Sequence, residues 1–292
     1  MSRAKIRLHL GRYPDKCDTN GKVVESVRFK DYIREKVSYF VERDESVYAY
    51  VLRPIDDGIY PAILCHHQHQ EERKFGKDEP AGIQGDKTMN YAEELAKIGY
   101  ITFVPDSLAY GERRDKEDPV GFNYWVFATR LVQGKTLLAK NLHDLSQGID
   151  YLETRSDVDK TRIGFIGHSF GGRIGLWAAS LDKRIKATVC HCGCISYKES
   201  MTRDTGIQLE FAIHGIASEL DIEDVIKLIE PNNLLLSTTS CDKWSRGAKS
   251  TFQKAKPFFD VGNLEFILSE GGHEFSEEMR LNAYAFLNRF LK

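Results

Sequence analysis

One serine in the chain stands in a pattern that can make it a nucleophile. Residues 162–172 read Arg-Ile-Gly-Phe-Ile-Gly-His-Ser-Phe-Gly-Gly, an apolar run that leads into Gly-x-Ser-x-Gly. This pattern is typical of a nucleophile elbow, the tight strand-to-helix turn that holds a serine out at the strand end. Side chains two residues before and after the serine would collide there, which explains glycine at 167 and 171. An ordinary serine in a glycine-rich turn is the alternative, but the strand-to-helix setting favours Ser169 as nucleophile.

A serine hydroxyl is a weak nucleophile at neutral pH, so it needs a base and an acid that orients the base. His273 is the predicted base because, of nine histidines, it alone follows the last predicted core strand, just before the final helix. Asp242 is the predicted acid because it follows the apolar strand 234–237. The order serine, aspartate, histidine is that of elbow-type hydrolases. Alternatives are Asp242 as a turn or cap residue, His273 as a surface histidine, and Asp260 as the acid.

The elbow also predicts where a negative charge on the reacting oxygen would be stabilised. A serine at a helix N-terminus allows the backbone amide of Phe170 to donate to an oxyanion. A second donor is expected in the loop after the strand 61–65, and the backbone amide of Gln68 is the candidate.

Three histidines lie close together in this loop, at positions 66, 67 and 69. We expect one imidazole to brace the loop and another to line the substrate pocket, which makes His67 and His69 candidate substrate-binding residues. His214 is a third candidate, although a structural role is the simpler interpretation for it. The further ligands that zinc hydrolases carry at set spacings are missing, so no metal site is predicted.

The elements that must position these residues follow from the spacing of the apolar side chains. Residues rich in β-branched and aromatic types at 36–40 and 47–52, separated by a turn, predict a hairpin. Strand-like and helix-like stretches then alternate, from residues 62–65 to a closing helix at 276–291. Such alternation predicts an α/β fold with a mostly parallel sheet covered by helices on both faces. Ligands bind at the carboxyl ends of the strands in such sheets.

Composition excludes several classes of function. Of the 292 residues, 41% are hydrophobic and 11% aromatic, enough to bury a sizeable core and too many for a disordered chain. The 41 Lys and Arg against 43 Asp and Glu leave a net charge of −2, with no basic excess to attract nucleic acid. The sequence has no apolar stretch long enough to predict a membrane-spanning segment, and no signal-like start that predicts export. We therefore expect a cytoplasmic protein with a small-molecule partner, not nucleic acid or a membrane.

The elbow, the residue order and the loop after the first core strand together resemble the α/β-hydrolase superfamily, within it the dienelactone-hydrolase-like and acetyl-esterase-like branch. The resemblance covers about residues 36–292, with supporting stretches at 64–69, 104–107, 111–114, 158–164 and 271–275. It implies an eight-stranded, mostly parallel sheet, no cofactor, and hydrolysis of esters through an acyl-serine. Dienelactone hydrolases proper carry cysteine where Ser169 stands, so dienelactone itself is not the expected substrate.

We predict one hydrolase domain at residues 36–292, preceded by an N-terminal extension at 1–35. Residues 195–230 form a long connection between two core strands. They are either a helical lid over the acyl pocket or an ordinary crossover helix with a long entry loop. The predicted function is hydrolysis of small or medium carboxylic esters by a serine esterase. A peptidase or amidase of the same fold and a noncatalytic binding protein are the alternatives.

Overall fold

The computed structural model describes residues 2–69 and 73–292. Within them a single sheet contains nine strands: β1 (Lys22–Arg28), β2 (Ile33–Glu42), β3 (Glu45–Arg53), β4 (Tyr60–His66), β5 (Ile101–Pro105), β6 (Val158–His168), β7 (Ile185–His191), β8 (Asn233–Thr239) and β9 (Leu264–Ser269). Their spatial order is β1-β2-β3-β5-β4-β6-β7-β8-β9. Strands β1, β2, β3 and β5 pair antiparallel in that order. The parallel part of the sheet consists of β5, β4, β6, β7, β8 and β9.

Helices cover both faces of the sheet. They are α1 (Arg3–Leu10), α2 (Tyr91–Lys97), α3 (Pro119–Val132), α4 (Leu137–Thr154), α5 (Phe170–Leu181), α6 (Tyr197–Ser200), α7 (Ile222–Ile226), α8 (Ala248–Ala255) and α9 (Glu277–Leu291), with short 3-10 helices in several connections. Apolar side chains of α4, α5, α7 and α8 form one core, and those of α2 and α9 form the other. The central strands are apolar without alternation because both of their faces are buried. The α/β fold predicted from the sequence is confirmed.

The antiparallel edge is larger than the sequence indicates. The predicted hairpin is present as β2 and β3, but β1 adds a ninth strand where eight were expected. Almost every residue of β1 is exposed, so its sequence has no buried face and lacks the alternation that identifies a strand. Part of the segment 1–35 therefore belongs to the sheet, and α1 adds Ile6 and Leu10 to the larger core.

The long connection at 195–230 contains no single long helix. It holds the short helices α6 and α7 with two 3-10 turns between them. Phe211, Ile213 and Ile216 from this connection are buried in the larger core. The connection therefore packs firmly onto the domain along part of its length.

Two further features concern the cysteines and the length of the helices. All six cysteines are free thiols, and four of them are buried. Within the described ranges, no helix combines the length and the apolar character needed to cross a membrane.

Candidate active site

Ser169 occupies a tight turn between β6 and α5. Its backbone has φ 55° and ψ −120°, a conformation that costs energy for a residue with a side chain. The N–H of Ser169 donates to the carbonyl oxygen of His191 at 2.8 Å, which ties the turn to β7. A Cβ atom on Gly167 would lie 2.3 Å from the carbonyl carbon of Gly171, and one on Gly171 would lie 2.2 Å from the His66 oxygen. Glycine is therefore required at both positions. The collision within the turn that the sequence predicts applies to Gly167, whereas Gly171 is required because the carbonyl oxygens of His66 and His67 lie against it.

The side chains of Ser169, His273 and Asp242 form a continuous chain of hydrogen bonds. The Oγ of Ser169 lies 2.8 Å from His273 Nε2, and His273 Nδ1 lies 2.9 Å from Asp242 Oδ1. The three residues follow the carboxyl ends of β6, β9 and β8, which are parallel strands of one sheet. Parallel strands end at the same edge of a sheet, so the topology brings together residues that are far apart in sequence.

The surroundings of Asp242 keep its carboxylate ionised. The side chain is fully buried, and besides His273 it accepts hydrogen bonds from the Trp244 N–H at 3.0 Å and the Ser245 hydroxyl at 2.5 Å. Burial alone would raise the pKa of this carboxyl, but the hydrogen bond and charge interaction with His273, together with the two other donors, hold it below its ordinary value. Asp242 therefore caps the 3-10 helix Lys243–Ser245 and orients the imidazole at the same time.

The other acid candidate is placed differently. Asp260 is exposed and precedes β9, so it lies toward the amino end of that strand. The candidate site lies at the carboxyl end of the same strand. Of the two carboxylates, the structure brings Asp242 to His273.

Two rings that the sequence analysis did not single out pack against His273. The centroids of His168 and Trp244 both lie 4.6 Å from the centroid of the His273 ring. Burial, with added repulsion from His191 and His273, lowers the pKa of His168 well below the ordinary value. The ring of His168 is therefore neutral near pH 7 and does not oppose a proton on its neighbour. The sequence did contain a signal for His168, since it lies between Gly167 and Ser169 in the Gly-x-Ser-x-Gly pattern.

The loop after β4 lies against the first turn of α5. A Cβ atom on Gly171 would be 2.8 Å from the carbonyl oxygen of His67, and the rings of His67 and Phe170 are 5.8 Å apart. The backbone amides of Phe170 and Gln68 have no hydrogen-bond acceptor in the part of the chain that the structure describes. An unpaired amide is expected at Phe170 because the first N–H groups of a helix lack intrahelical acceptors. Two donors are thus available next to the elbow.

Buried imidazoles hold this loop in place. His67 Nδ1 donates to the Gln68 carbonyl oxygen at 2.9 Å, and its Nε2 accepts from the Ser107 N–H at 3.1 Å. His66 Nε2 lies 3.0 Å from the Ser107 hydroxyl, and the Tyr91 hydroxyl donates to the His66 carbonyl oxygen. Burial lowers the pKa of His67 to about 3, so its ring is neutral. Both ring nitrogens of His67 have protein partners, an arrangement that favours a bracing role over substrate contact.

The remaining candidate histidines, His69 and His214, are not among the residues that line the cavity beside Ser169. Arg73 Nη2 lies 3.4 Å from His69 Nε2, and the His69 ring is 6.1 Å from the Tyr110 ring. His214 lines an apolar cavity of about 390 Å³ between α3 and the connection 195–230. A different and smaller cavity, of about 30 Å³, opens beside Ser169.

Among residues 2–69 and 73–292, two groups of side chains have potential metal-ligating atoms within 4.8 Å of one another: His168, His191 and Cys192, and Cys192, Asp242 and His273. In the first group, His191 Nε2 donates to the Glu274 carbonyl oxygen at 2.7 Å. In the second, Asp242 and His273 already bind each other. A metal ion at either place would have to displace these hydrogen bonds.

Comparison with known proteins places this geometry in a family. The profile of the Dienelactone hydrolase family matches residues 78–223, half of the chain. YtaP of Bacillus subtilis (strain 168) is 31% identical over 190 residues, which are 64% of this chain and 62% of that protein. Carbohydrate esterase MZ0003, from an unknown prokaryotic organism, is 31% identical over 117 residues, 35% of this chain and 27% of that protein. The chain thus matches less than two thirds of the length of either relative.

Solved structures share the fold at low sequence identity. The acetyl xylan esterase from Paenibacillus sp. R4 superposes with a TM-score of 0.71 at 16% identity, covering 100% of both chains. A CE15 glucuronoyl esterase from Teredinibacter turnerae T7901 gives a TM-score of 0.68 at 16% identity, covering 98% of this chain and 83% of that one. The sheet order, the elbow and the profile match lead to one conclusion: the chain belongs to the dienelactone hydrolase family.

Proposed function

We propose that this protein hydrolyses small or medium carboxylic esters through an acyl-serine intermediate. The observation that carries the proposal is the unbroken line of hydrogen bonds from Ser169 through His273 to Asp242, with the serine held in a strained turn. A hydroxyl aligned on an imidazole, itself aligned on a buried carboxylate, is the arrangement that activates serine for attack on a carbonyl carbon.

Each residue then has a defined role in acylation. His273 Nε2 removes the proton from Ser169 Oγ as the oxygen attacks the ester carbonyl carbon, and Asp242 stabilises the imidazolium that forms. The amides of Phe170 and Gln68 donate to the negative oxygen of the tetrahedral intermediate. When the intermediate collapses, the proton on His273 passes to the departing alcohol oxygen. An acyl group remains on the serine.

The same groups serve deacylation in the reverse direction. A water molecule loses a proton to His273 Nε2 and attacks the acyl carbon, and the two amides again stabilise the negative oxygen. Collapse returns the proton to Ser169 Oγ and releases the carboxylic acid. Every proton is accounted for by side chains of this chain and by water, so the proposed reaction uses no cofactor.

The names of related proteins support esters over other acyl compounds. MZ0003 is named as a carbohydrate esterase, and the proteins with the same fold include acetyl xylan and glucuronoyl esterases. Amide hydrolysis would use the same side chains, so it is the competing outcome of the experiment. The proposed partner is a small-molecule ester, consistent with the small cavity beside Ser169.

The test compares wild type with Ser169→Ala on p-nitrophenyl acetate, on a matched p-nitroanilide, and with a fluorophosphonate probe. Wild type should hydrolyse the ester faster than the anilide and form one probe adduct. The Ser169→Ala variant should lose hydrolysis of the ester and the adduct, and its unfolding midpoint should stay unchanged. Ser156→Ala, an exposed serine near the start of β6, is the matched control and should behave as wild type. Full ester hydrolysis by Ser169→Ala would disprove the role of Ser169, whereas a wild type that neither hydrolyses the ester nor forms an adduct would favour a noncatalytic binding protein.

A further inference from the structure

A buried arginine lies one helical turn beyond the proposed nucleophile. Arg173 is on α5, only 4% exposed, and is one of the residues that line the cavity of about 30 Å³ beside Ser169. Phe170, Ser200, Gln208 and Trp244 also line this cavity. Ser200, whose hydroxyl accepts a hydrogen bond from Arg173 Nη2 at 3.3 Å, lines the same cavity, so the guanidinium group lies close to it.

Among the described residues, no carboxylate lies at salt-bridge distance from Arg173. Its Nη2 donates to the Ser200 hydroxyl at 3.3 Å, and its Nε is buried without an acceptor. Within residues 2–69 and 73–292, no Asp or Glu oxygen lies within 4.0 Å of its guanidinium nitrogens. Burial lowers the pKa of Arg173 below the ordinary value, and charge interactions with Tyr197, Cys194 and the more distant Asp221 offset this effect only in part.

Other buried arginines of the same chain show what Arg173 lacks. Arg73, 6% exposed, has its Nη1 2.8 Å from a Glu210 oxygen. Arg280, 8% exposed, has its Nε 2.9 Å from a Glu94 oxygen. A buried guanidinium is unfavourable unless it is paired and hydrogen-bonded. Arg173, which has no carboxylate partner among the described residues, is the buried arginine that lines the cavity beside Ser169.

We propose that Arg173 binds a carboxylate on the acyl part of the substrate, so that the preferred substrates are half-esters of short dicarboxylic acids. This inference rests on the proposed ester hydrolysis. An arginine presents paired N–H donors that match a carboxylate, and such charge-assisted hydrogen bonds are strong in a buried site. The cavity has room for about two water-sized groups, which restricts the acyl chain to a few atoms.

A purely structural role is the competing explanation. The guanidinium carbon of Arg173 lies 4.3 Å from the centroid of the Phe211 ring and 5.5 Å from that of Tyr197. These contacts join α5 to the connection 195–230, and they can stabilise a cation by themselves. The two roles differ in one measurable respect: only the binding role makes the effect of Arg173 depend on the charge of the substrate.

The kinetic test uses pairs of esters that differ in charge and little in shape. Monoethyl malonate is paired with ethyl 3-methylbutanoate, and monoethyl succinate with ethyl 4-methylpentanoate. We expect wild type to show a kcat/KM at least about tenfold higher for the charged member, and Arg173→Met to reduce that ratio about ten- to a hundredfold, the usual effect of losing a hydrogen bond to a charged group. The control variant Arg203→Met removes an exposed arginine from the connection 195–230 and should leave the ratio unchanged.

A wild type that prefers the neutral esters would overturn the inference, as would an Arg173→Met variant that loses activity equally on both members of each pair. Should Arg173→Met fail to fold, the wild-type preference still decides, together with competitive inhibition by malonate against inhibition by 3-methylbutanoate. Arg173→Lys should retain part of the preference, because it keeps the charge without the fork of donors.

A binding measurement separates this inference from the proposed function. Calorimetry on Ser169→Ala, which needs no hydrolysis, should show malonate binding at least about tenfold more tightly than 3-methylbutanoate, and the added Arg173→Met change should abolish the difference. Malonate binding with no hydrolysis of any ester by wild type would refute the proposed function alone. Ester hydrolysis without selective malonate binding would refute the role of Arg173 alone.

Discussion

Replacing Asp242 by asparagine removes one charge and little else. Asp242 Oδ1 accepts hydrogen bonds from His273 and Trp244, and Oδ2 accepts from Ser245. The asparagine oxygen can take the position of Oδ1, and its NH2 group can face the Ser245 oxygen, which also accepts hydrogen bonds. The imidazole should therefore keep its orientation, and the protein should keep its fold.

The expected loss of activity follows from the charge on His273 in the transition state. Asp242 is fully buried, and its oxygen is 2.9 Å from the imidazole nitrogen, so the centres of the two charged groups are about 4 Å apart. Two unit charges at about that distance attract by about 4 kcal/mol at an effective dielectric constant of about 20. Partial exposure of His273 reduces this energy, and we expect about 2 to 4 kcal/mol. The corresponding fall in kcat is about thirty- to a thousandfold.

The assay measures kcat and kcat/KM for p-nitrophenyl acetate, with urea unfolding of each variant as the check on folding. Asp260→Asn, which changes the exposed acid before β9, is the matched control and should retain wild-type activity. An Asp242→Asn variant with a normal unfolding midpoint and activity within about twofold of wild type would refute the electrostatic reasoning. Loss of activity in Asp260→Asn alone would show that the acid had been misassigned.

Two further predictions concern stability. Gly171→Ala would place a Cβ atom 2.2 Å from the His66 carbonyl oxygen, so its unfolding free energy should fall by about 1 to 3 kcal/mol; an unchanged urea midpoint would contradict this contact. Burial lowers the pKa of His67 to about 3 and of His191 to about 4, whereas an unfolded histidine binds a proton below about pH 6.5. The unfolded state therefore gains protons first as the pH falls, and each ring should remove about 2 kcal/mol of stability between about pH 7 and 5. Equal urea midpoints at the two pH values would disprove this expectation.

Features that depend on neighbouring residues and on the order of elements were predictable from the amino-acid sequence. The turn around Ser169 is one, because a side chain at 167 would collide with the backbone of Gly171, only four residues away. The alternation of strands and helices is another, because it follows from the spacing of apolar residues. Together they located His273 and Asp242, since each follows a parallel strand and such strands end at one edge.

Features that depend on which distant residues meet were not predictable in this way and became visible in the folded chain. The strand β1 has no buried face, so its membership of the sheet follows from pairing with β2 and not from its own pattern. The amide of Ser107 sets the role of the His67 ring. Arg173 donates to the Ser200 hydroxyl and has no carboxylate at salt-bridge distance among the described residues. The pKa and the charge balance of a buried group depend on packing between segments far apart in the chain, which no local pattern records.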